Sequence, residues 1–401
     1  MKVVQINATC GVGSTGKICV EISQLLSEKN VENYILYSSK SNGYKLGIKC
    51  SDDRYIKFQA LKSKVLGNYG FNSKKATQKM IDMLEKVQPD IVHLHNIHGH
   101  DCNLEMLFRY FKKNKTKLIW TFHGCWAFTG YCPHFTMGKC EKWQIQCSQC
   151  VQRRQYSWIF DKSRQLFEQK KKLFEGLDLM IITPSQWLAD IVRHSFMKRY
   201  PVKVINNGID LEVFKPVQSD FRQQYGIGNK KIVLGVSFGW DERKGLDVFI
   251  NLAQRLSKDY KIVLVGTDGK VDKQLPKDIL SIHRTHNQQE LAEIYATANV
   301  FVNPTREENY PTVNMESLAC GTPVLTFKTG GSPEIVDETC GSFVECDDID
   351  DLEKKIIYIC EDMPYSKEQC IKKANEFDKS ERFKEYLELY ERINITRTER
   401  N

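Results

Sequence analysis

No run of about 20 consecutive apolar residues, the length a bilayer-spanning helix needs, occurs in the 401-residue chain. The opening residues, Met1-Lys2-Val3-Val4-Gln5-Ile6, run into a glycine-rich stretch without a small-residue cleavage site, so no secretory leader is read there. Proline is sparse at 11 residues, and the 24 glycines follow no collagen-like period and form no low-complexity tract. With a mean hydropathy of −0.44, the reading is a soluble, cytoplasmic protein. At roughly 150 residues per domain the length suggests two domains or three.

The first half is short of acidic charge. Residues 1–215 hold 33 Lys+Arg against 18 Asp+Glu (+15), the remainder 25 against 32 (−7), and the two sum to the net +8. A positive field over the first half attracts phosphate-bearing partners such as anionic lipid, lipid-linked phosphate or nucleic acid. The runs Lys112-Lys113-Asn114-Lys115-Thr116-Lys117 and Lys170-Lys171-Lys172 concentrate it, though each also reads as a solvated helix end. Fourteen cysteines without a mark of secretion do not make a disulfide framework. Five of them, Cys125, Cys132, Cys140, Cys147 and Cys150, crowd into residues 125–150, and the others read as small core residues.

Short apolar strands alternate with helical patterns in both halves. Val3–Ile6, Tyr34–Tyr37, Ile91–Leu94, Leu118–Phe122, Leu179–Ile182 and Val202–Ile205 read as strands in the first; Lys231–Val236, Ile262–Val265, Val300–Val302 and Val324–Thr326 do so in the second. Helices are expected at Lys17–Lys29, Thr77–Val87, Leu104–Lys112, Asp161–Glu175, Leu246–Leu256, Leu291–Thr297 and Val313–Ala319. This rhythm implies right-handed crossovers and parallel sheets: an α/β chain of two doubly wound domains facing a cleft, linked near Asn206–Pro216. In such sheets ligands sit beyond the carboxyl ends of the strands, which points to the loops after Ile6, Phe122 and Val236 and the turn before Val313.

Those loops hold the distinctive chemistry. Gly11-Val12-Gly13-Ser14-Thr15-Gly16-Lys17-Ile18 satisfies a nucleotide phosphate loop up to its last position, where Ile18 replaces the hydroxyl that would hold magnesium. A glycine-rich turn remains whose N–H groups could approach a phosphate, or which is simply a tight turn. In the phrase Asn303 to Pro323, Glu308 lies in a loop, Pro311 and Thr312 open a helix, and Gly321 and Pro323 stop it. The positive end of that helix suits a diphosphate, and Glu316, a turn further in, suits a vicinal diol. Arg243-Lys244-Gly245 supplies cations that could neutralise charge developing on a leaving phosphate without a divalent metal.

Glu308-x7-Glu316 followed by Ser-Leu-Ala-Cys-Gly-Thr-Pro-Val resembles the signature of family 4 glycosyltransferases, retaining enzymes of the GT-B fold. The resemblance runs nearly end to end, through Thr183-Pro184-Ser185, Asn207-Gly208-Ile209-Asp210, Arg243-Lys244-Gly245 and Gly330-Gly331-Ser332-Pro333-Glu334-Ile335. Gly13–Gly16 and Cys125–Gly130 look most like bacterial enzymes that build capsular, exopolysaccharide or colanic-acid-like polymers. The resemblance implies two Rossmann-like domains, 1–205 on the acceptor side and 206–378 on the nucleotide-sugar side, with a helix in 379–401 packing back on the first. It implies Glu308, Lys244 and His123 as catalytic residues, and Glu316, Arg243, Asn309, Thr312, Val313, Gly13 and Ser14 as donor-binding ones. The implied partners are a nucleotide-sugar donor, a glycan or lipid-linked acceptor, and the inner membrane surface, held peripherally by the basic first half; nucleic acid is not among them. Two departures stand out. Phe238 and Gly239 occupy the place of the family's usual arginine before the lysine, and Gly124 that of an aspartate after His123.

Cys132-x7-Cys140-x6-Cys147-x2-Cys150 offers four thiolates and suits a structural zinc in a long irregular loop; free or redox-linked thiols are the other reading. No cofactor is expected for catalysis itself. Trp126, Phe128, Tyr131, Phe135 and Trp143 make either an acceptor-binding lip or a local hydrophobic cluster. Two further readings compete with sugar transfer: a phosphate-loop nucleotidase, opposed by Ile18, and a zinc-containing nucleic-acid-binding module, in which the Glu308–Pro323 phrase has no role.

Overall fold

Strands apolar on both faces must be covered on both faces, and in the computed structural model, which describes residues 1–398, they form two all-parallel sheets. The first has seven strands in the order β3-β2-β1-β4-β5-β6-β7. These are β1 (Lys2–Asn7), β2 (Glu32–Tyr37), β3 (Gly47–Lys49), β4 (Ile91–Leu94), β5 (Lys117–Thr121), β6 (Asp178–Thr183) and β7 (Val202–Val204). The second has six, in the order β10-β9-β8-β11-β12-β13. They are β8 (Lys231–Val236), β9 (Tyr260–Val265), β10 (Leu280–Ile282), β11 (Val300–Asn303), β12 (Val324–Phe327) and β13 (Gly341–Val344). The order reverses between β1 and β4 and again between β8 and β11, so each sheet has a switch point where a crevice opens beyond the strand ends.

The pleat sorts side chains into separate cores. In the first sheet Val3, Ile91, Ile119 and Ile182 point to one face, with Ile18, Ile22 and Leu26 of the helix Gly13–Glu28. Their neighbours Val4, Ile6, Val92, Leu94, Leu118 and Trp120 point to the other, against the helices Lys74–Val87 and Leu104–Lys113. Ile18 is 7% exposed in the first of these cores, so its position in the phosphate-loop pattern is a packing position.

The chain divides into two units, Met1–Ile205 with the segment from Phe383 onward, and Asn206–Arg382. The final helix, Lys379–Thr398, passes from the second to the first. Its return begins at Phe383 rather than at 379, because Lys379 is held in the second unit: its N–H donates to Ile209 O at 3.0 Å and its ammonium pairs with Asp210 at 2.9 Å. Beyond Phe383, Tyr386, Leu387, Leu389 and Tyr390 are buried in the first unit's core, and Tyr390 hydroxyl lies 2.6 Å from His93 Nδ1. Residues 399–401 of the expected C-terminal segment lie outside the described residues.

Three strands and several helices were not legible in the sequence. β3, β10 and β13 are short edge or near-edge strands. The helix Asp53–Leu66 lacks an apolar inner face, its buried residues being Gln59 and Ser63. The helix expected from Lys17 starts at Gly13, so Gly13-Ser14-Thr15-Gly16 is its first turn rather than a loop, and the turn before it is Thr9–Val12.

Candidate functional site

In the second unit, one short turn is built to present a lysine. After β8 the chain enters a 3-10 turn, Glu242–Lys244, capped by Asp241, whose carboxylate accepts the Lys244 N–H at 2.9 Å. Gly245 follows at φ +77°, where a Cβ would collide with the Pro304 carbonyl, so glycine alone lets the turn seat against the loop leaving β11. Arg306 on that loop fastens it. Its N–H donates to Arg243 O at 2.9 Å, its guanidinium forks onto Asp247 at 2.7 and 2.8 Å, and its Nε reaches Asp347 at 2.7 Å. The two carboxylates raise the Arg306 pKa against the effect of burial.

The outcome is an ion pair between Lys244 Nζ and Glu308 Oε2 at 2.6 Å, with each side chain 21% exposed. The Glu308 loop is held from its other side by the Gly330-Gly331 turn. Gly330 sits at φ +57° with no room for a Cβ beside Glu308 O, and the Gly331 N–H donates to Asn309 O at 2.8 Å. Buried Asn309 also donates its own N–H to Glu308 Oε1 at 3.1 Å. The helix Thr312–Ala319 opens directly after this loop with Pro311 at its cap position and no side chain capping it. The opening N–H groups at Thr312 and Val313 therefore lack intrahelical acceptors and form an anion-seeking end. Glu316 lies one turn in, its Oε2 3.3 Å from the hydroxyl of Tyr295, which burial and the Glu316 charge hold protonated. Arg243 contributes its carbonyl to the scaffold, and its guanidinium has no ion-pair partner among the described residues. Phe238, in the place of the expected arginine, is fully exposed.

Sequence reading therefore located Lys244, Glu308, Asn309, Thr312, Val313 and Glu316 on one set of adjoining loops. It gave no role to Arg306, whose partners lie 59 and 41 positions away.

In the first unit a cavity of about 220 Å³ opens beyond β4 and β5, lined by His95, His98, His123, His134, Trp126 and Phe122 among others. His123 Nε2 lies 3.3 Å from His95 Nδ1, and His95 Nε2 is 3.0 Å from Gln5 Oε1 on β1. Burial pulls His98 and His123 from 6.5 down to about 4, and His95 well below its ordinary value. These imidazoles are neutral near pH 7: they can hydrogen-bond hydroxyls, but do not serve as acids there. Sequence reading assigned no role to His98, and only the fold shows that it shares a wall with His123. Gly13 and Ser14 are exposed on the first helical turn after β1.

The cysteine-rich loop packs as the second of its two readings has it. Trp126, Phe128, Tyr131, Phe135 and Trp143 are all buried, so they form a local core rather than a lip. Beneath them lies Lys170, fully buried, its Nζ donating to the carbonyls of Trp126 at 2.8 Å, Thr129 at 3.0 Å and Gly130 at 3.4 Å, with the Trp126 ring 3.6 Å away. Burial, helped by the other cysteines of the set, pushes the Cys132 thiol up to about 12 and the Cys147 thiol up to about 11. Among the described residues no group of three or more His, Cys, Asp or Glu side chains is placed to hold a metal ion. Cys132, Cys140, Cys147 and Cys150 share one neighbourhood, and lysine and aromatic packing fasten the loop.

The family description "Glycosyltransferase Family 4" matches residues 16–213, and "Glycosyl transferases group 1" matches residues 217–377. Over 374 residues the chain is 23% identical to the colanic acid biosynthesis glycosyl transferase WcaC of Escherichia coli (strain K12), covering 87% of this chain and 88% of that one. Among solved structures, sucrose-phosphate synthase from Thermosynechococcus elongatus superposes with a TM-score of 0.70 at 17% identity, covering 99% of this chain and all of the other. HepE from Anabaena in complex with UDP-glucose gives 0.69 at 14% identity, covering 98% and 99%.

Two parallel-sheet α/β units with polar loops at both switch points, matched in this way, define a glycosyltransferase of the GT-B fold. Within that class the chain belongs to family 4 and serves glycan biosynthesis.

Proposed function

We propose that the chain transfers a sugar, with retention of anomeric configuration, from a nucleoside-diphosphate sugar to a lipid-linked glycan during assembly of a surface polysaccharide. The observation that carries this reading is the Lys244–Glu308 pair beside the uncapped helix start at Thr312. When the bond between the anomeric carbon and the diphosphate breaks, its electron pair stays on the phosphate oxygen. A fixed ammonium and an N-terminal helix end lower that barrier without a metal. Glu308 keeps Lys244 oriented and offers its remaining acceptor capacity to the donor sugar, while Glu316 accepts from the ribose hydroxyls. Neutral His123 in the first unit hydrogen-bonds the sugar. Arg243, with no carboxylate partner, takes the place of the missing arginine against the diphosphate. WcaC, related along most of the chain, carries colanic acid biosynthesis in its name, and HepE holds UDP-glucose on the same fold.

A thermal-shift panel of UDP-, GDP-, dTDP- and ADP-sugars tests this reading. A donor at about 100 times its Kd adds about 2.7 kcal/mol to the native state, a shift of several degrees. One nucleotide class is expected to raise the melting temperature, with or without EDTA. No shift from any donor, or a shift lost in EDTA, would contradict the reading.

A further inference from the structure

The chemistry above leaves unused an exposed apolar surface on the first unit. The helix Asp53–Leu66 is turned inside out: Gln59 and Ser63 are buried, while Phe58 and Leu61 are 60% and 51% exposed. The cause is local. Ser63 Oγ accepts from Asn72 Nδ2 at 2.6 Å and Gln59 Oε1 from the Ser73 N–H at 3.5 Å, so the polar face is pinned to the following segment and the apolar residues stay outside. A second segment extends them. The Trp158 N–H donates to Lys64 O at 2.7 Å, which sets Trp158, Ile159 and Phe160, each at least half exposed, along the last turn of the helix, one turn beyond Leu61.

The rim of this surface is cationic. Arg54, Lys57 and Lys62 are exposed on the same helix. Lys64 Nζ lies 5.6 Å from the Trp158 ring and Lys162 Nζ 5.8 Å from the Phe160 ring. The nearby acids are engaged: Asp52 caps the helix start, Asp53 pairs with Lys49 at 2.7 Å, and Asp161 accepts the N–H groups of Cys150 and Ser163. Exposed Trp, Phe, Ile and Leu side chains on two hydrogen-bonded segments, with long cationic side chains beside them, match the depth profile of a bilayer surface, apolar below and anionic phosphate above.

We propose that this surface docks the chain on an anionic lipid bilayer. Phe58, Leu61, Trp158, Ile159 and Phe160 enter the interface, and Arg54, Lys57 and Lys62 meet headgroup phosphates. The inference deepens the lipid-linked acceptor reading and rests on it only for its biological purpose.

Flotation of the full chain with vesicles tests it, using phosphatidylcholine alone and an equal mixture with phosphatidylglycerol. The wild type is expected to float with the mixed vesicles, to stay in solution with phosphatidylcholine, and to be released by salt. Phe58→Ser/Leu61→Ser/Trp158→Ser is expected to float about tenfold less or weaker still, because three buried apolar contacts are lost. Lys57→Glu/Lys62→Glu, which alters only exposed charges, should fall similarly and keeps the test open if the triple variant misfolds. Overturning results are a wild type that never floats, variants that float like it, release by inorganic phosphate at constant ionic strength, or a drop in oligomeric mass in the patch variants, which would mean a second copy covers the surface. Calorimetry with the nucleotide sugar separates the two readings. Donor binding without flotation sinks this inference alone, and flotation without donor binding sinks the donor reading alone.

Discussion

Lys244 reaches Glu308 because residues outside that pair hold its turn. Arg306 ties the lysine turn to the glutamate loop through Asp247 and Asp347, and a lysine at 306 could not reproduce that two-pronged contact. Arg306→Lys is therefore expected to lower kcat by about tenfold or more, with KM for the donor changed less, since a looser Lys244 costs most when charge develops. Equal kcat in the variant, measured by steady-state kinetics, would show that the tie does not position the lysine. Glu316 stands differently, as an acceptor. Removing a hydrogen bond to a charged group costs about 1.5–3 kcal/mol, so Glu316→Ala should weaken nucleotide-sugar binding by about tenfold to a hundredfold in calorimetry. At this scale the sequence was informative where chemistry follows local spacing. Glu308 and Glu316 sit eight positions apart around a helix start, and the pattern shows it. Arg306 stands in the same phrase, but its role depends on partners 59 and 41 residues distant, which no local pattern reveals.

Among elements, those with one apolar face or two were legible, and those held by polar groups were not. Ile91–Leu94 and Lys231–Val236 stand as read because each is a short apolar run between turns. The helix Asp53–Leu66 escaped because Phe58 and Leu61 break the inward pattern that Gln59 and Ser63 replace. The cysteine loop shows where spacing stops informing: it counts four thiols, but it does not say where their side chains turn or that Lys170 occupies the loop's interior. Burial pulls the Lys170 pKa well below its ordinary value, yet three carbonyls and an indole face still depend on its ammonium. Lys170→Met leaves those carbonyls buried without a donor. The expected loss is about 3 kcal/mol, or a melting temperature roughly 6–12 °C lower, read by calorimetry. An unchanged melting temperature would mean that the loop is fastened elsewhere.

At the scale of the whole molecule, histidines of the first unit, His98 and His123 of its cavity and His93 beside them, set its response to acid. Burial lowers His93 from 6.5 to about 3, and His98 and His123 from 6.5 to about 4. An unfolded chain takes up protons at these positions near pH 6.5, whereas the native chain does so only near pH 4 at His98 and His123 and near pH 3 at His93. Their contribution is therefore fully present above pH 6.5 and is lost progressively as the pH falls toward 4. Buried Asp101, pushed up to about 6, works in the opposite sense, one group against several histidines. Melting temperature is expected to fall steeply on acidification through this window, and the His123→Asn variant should show a shallower fall. A profile unchanged by that substitution would remove His123 from the account. The two-unit architecture was legible because alternating strands and helices admit few topologies, and because the polar phrases fall after β8 and β11, where the strand order turns. The return of the last helix to the first unit follows from the family resemblance alone, and Tyr390 reaching His93 is the tertiary detail behind it.

The most direct test of the central claim is the single-turnover rate of sugar transfer at saturating donor for Lys244→Ala beside the wild type. Without a fixed cation to meet the departing diphosphate, the rate is expected to fall by about a hundredfold to a thousandfold while donor affinity changes far less. A variant that transfers sugar at the wild-type rate would contradict the assignment of the Lys244–Glu308 pair as the group that carries the reaction.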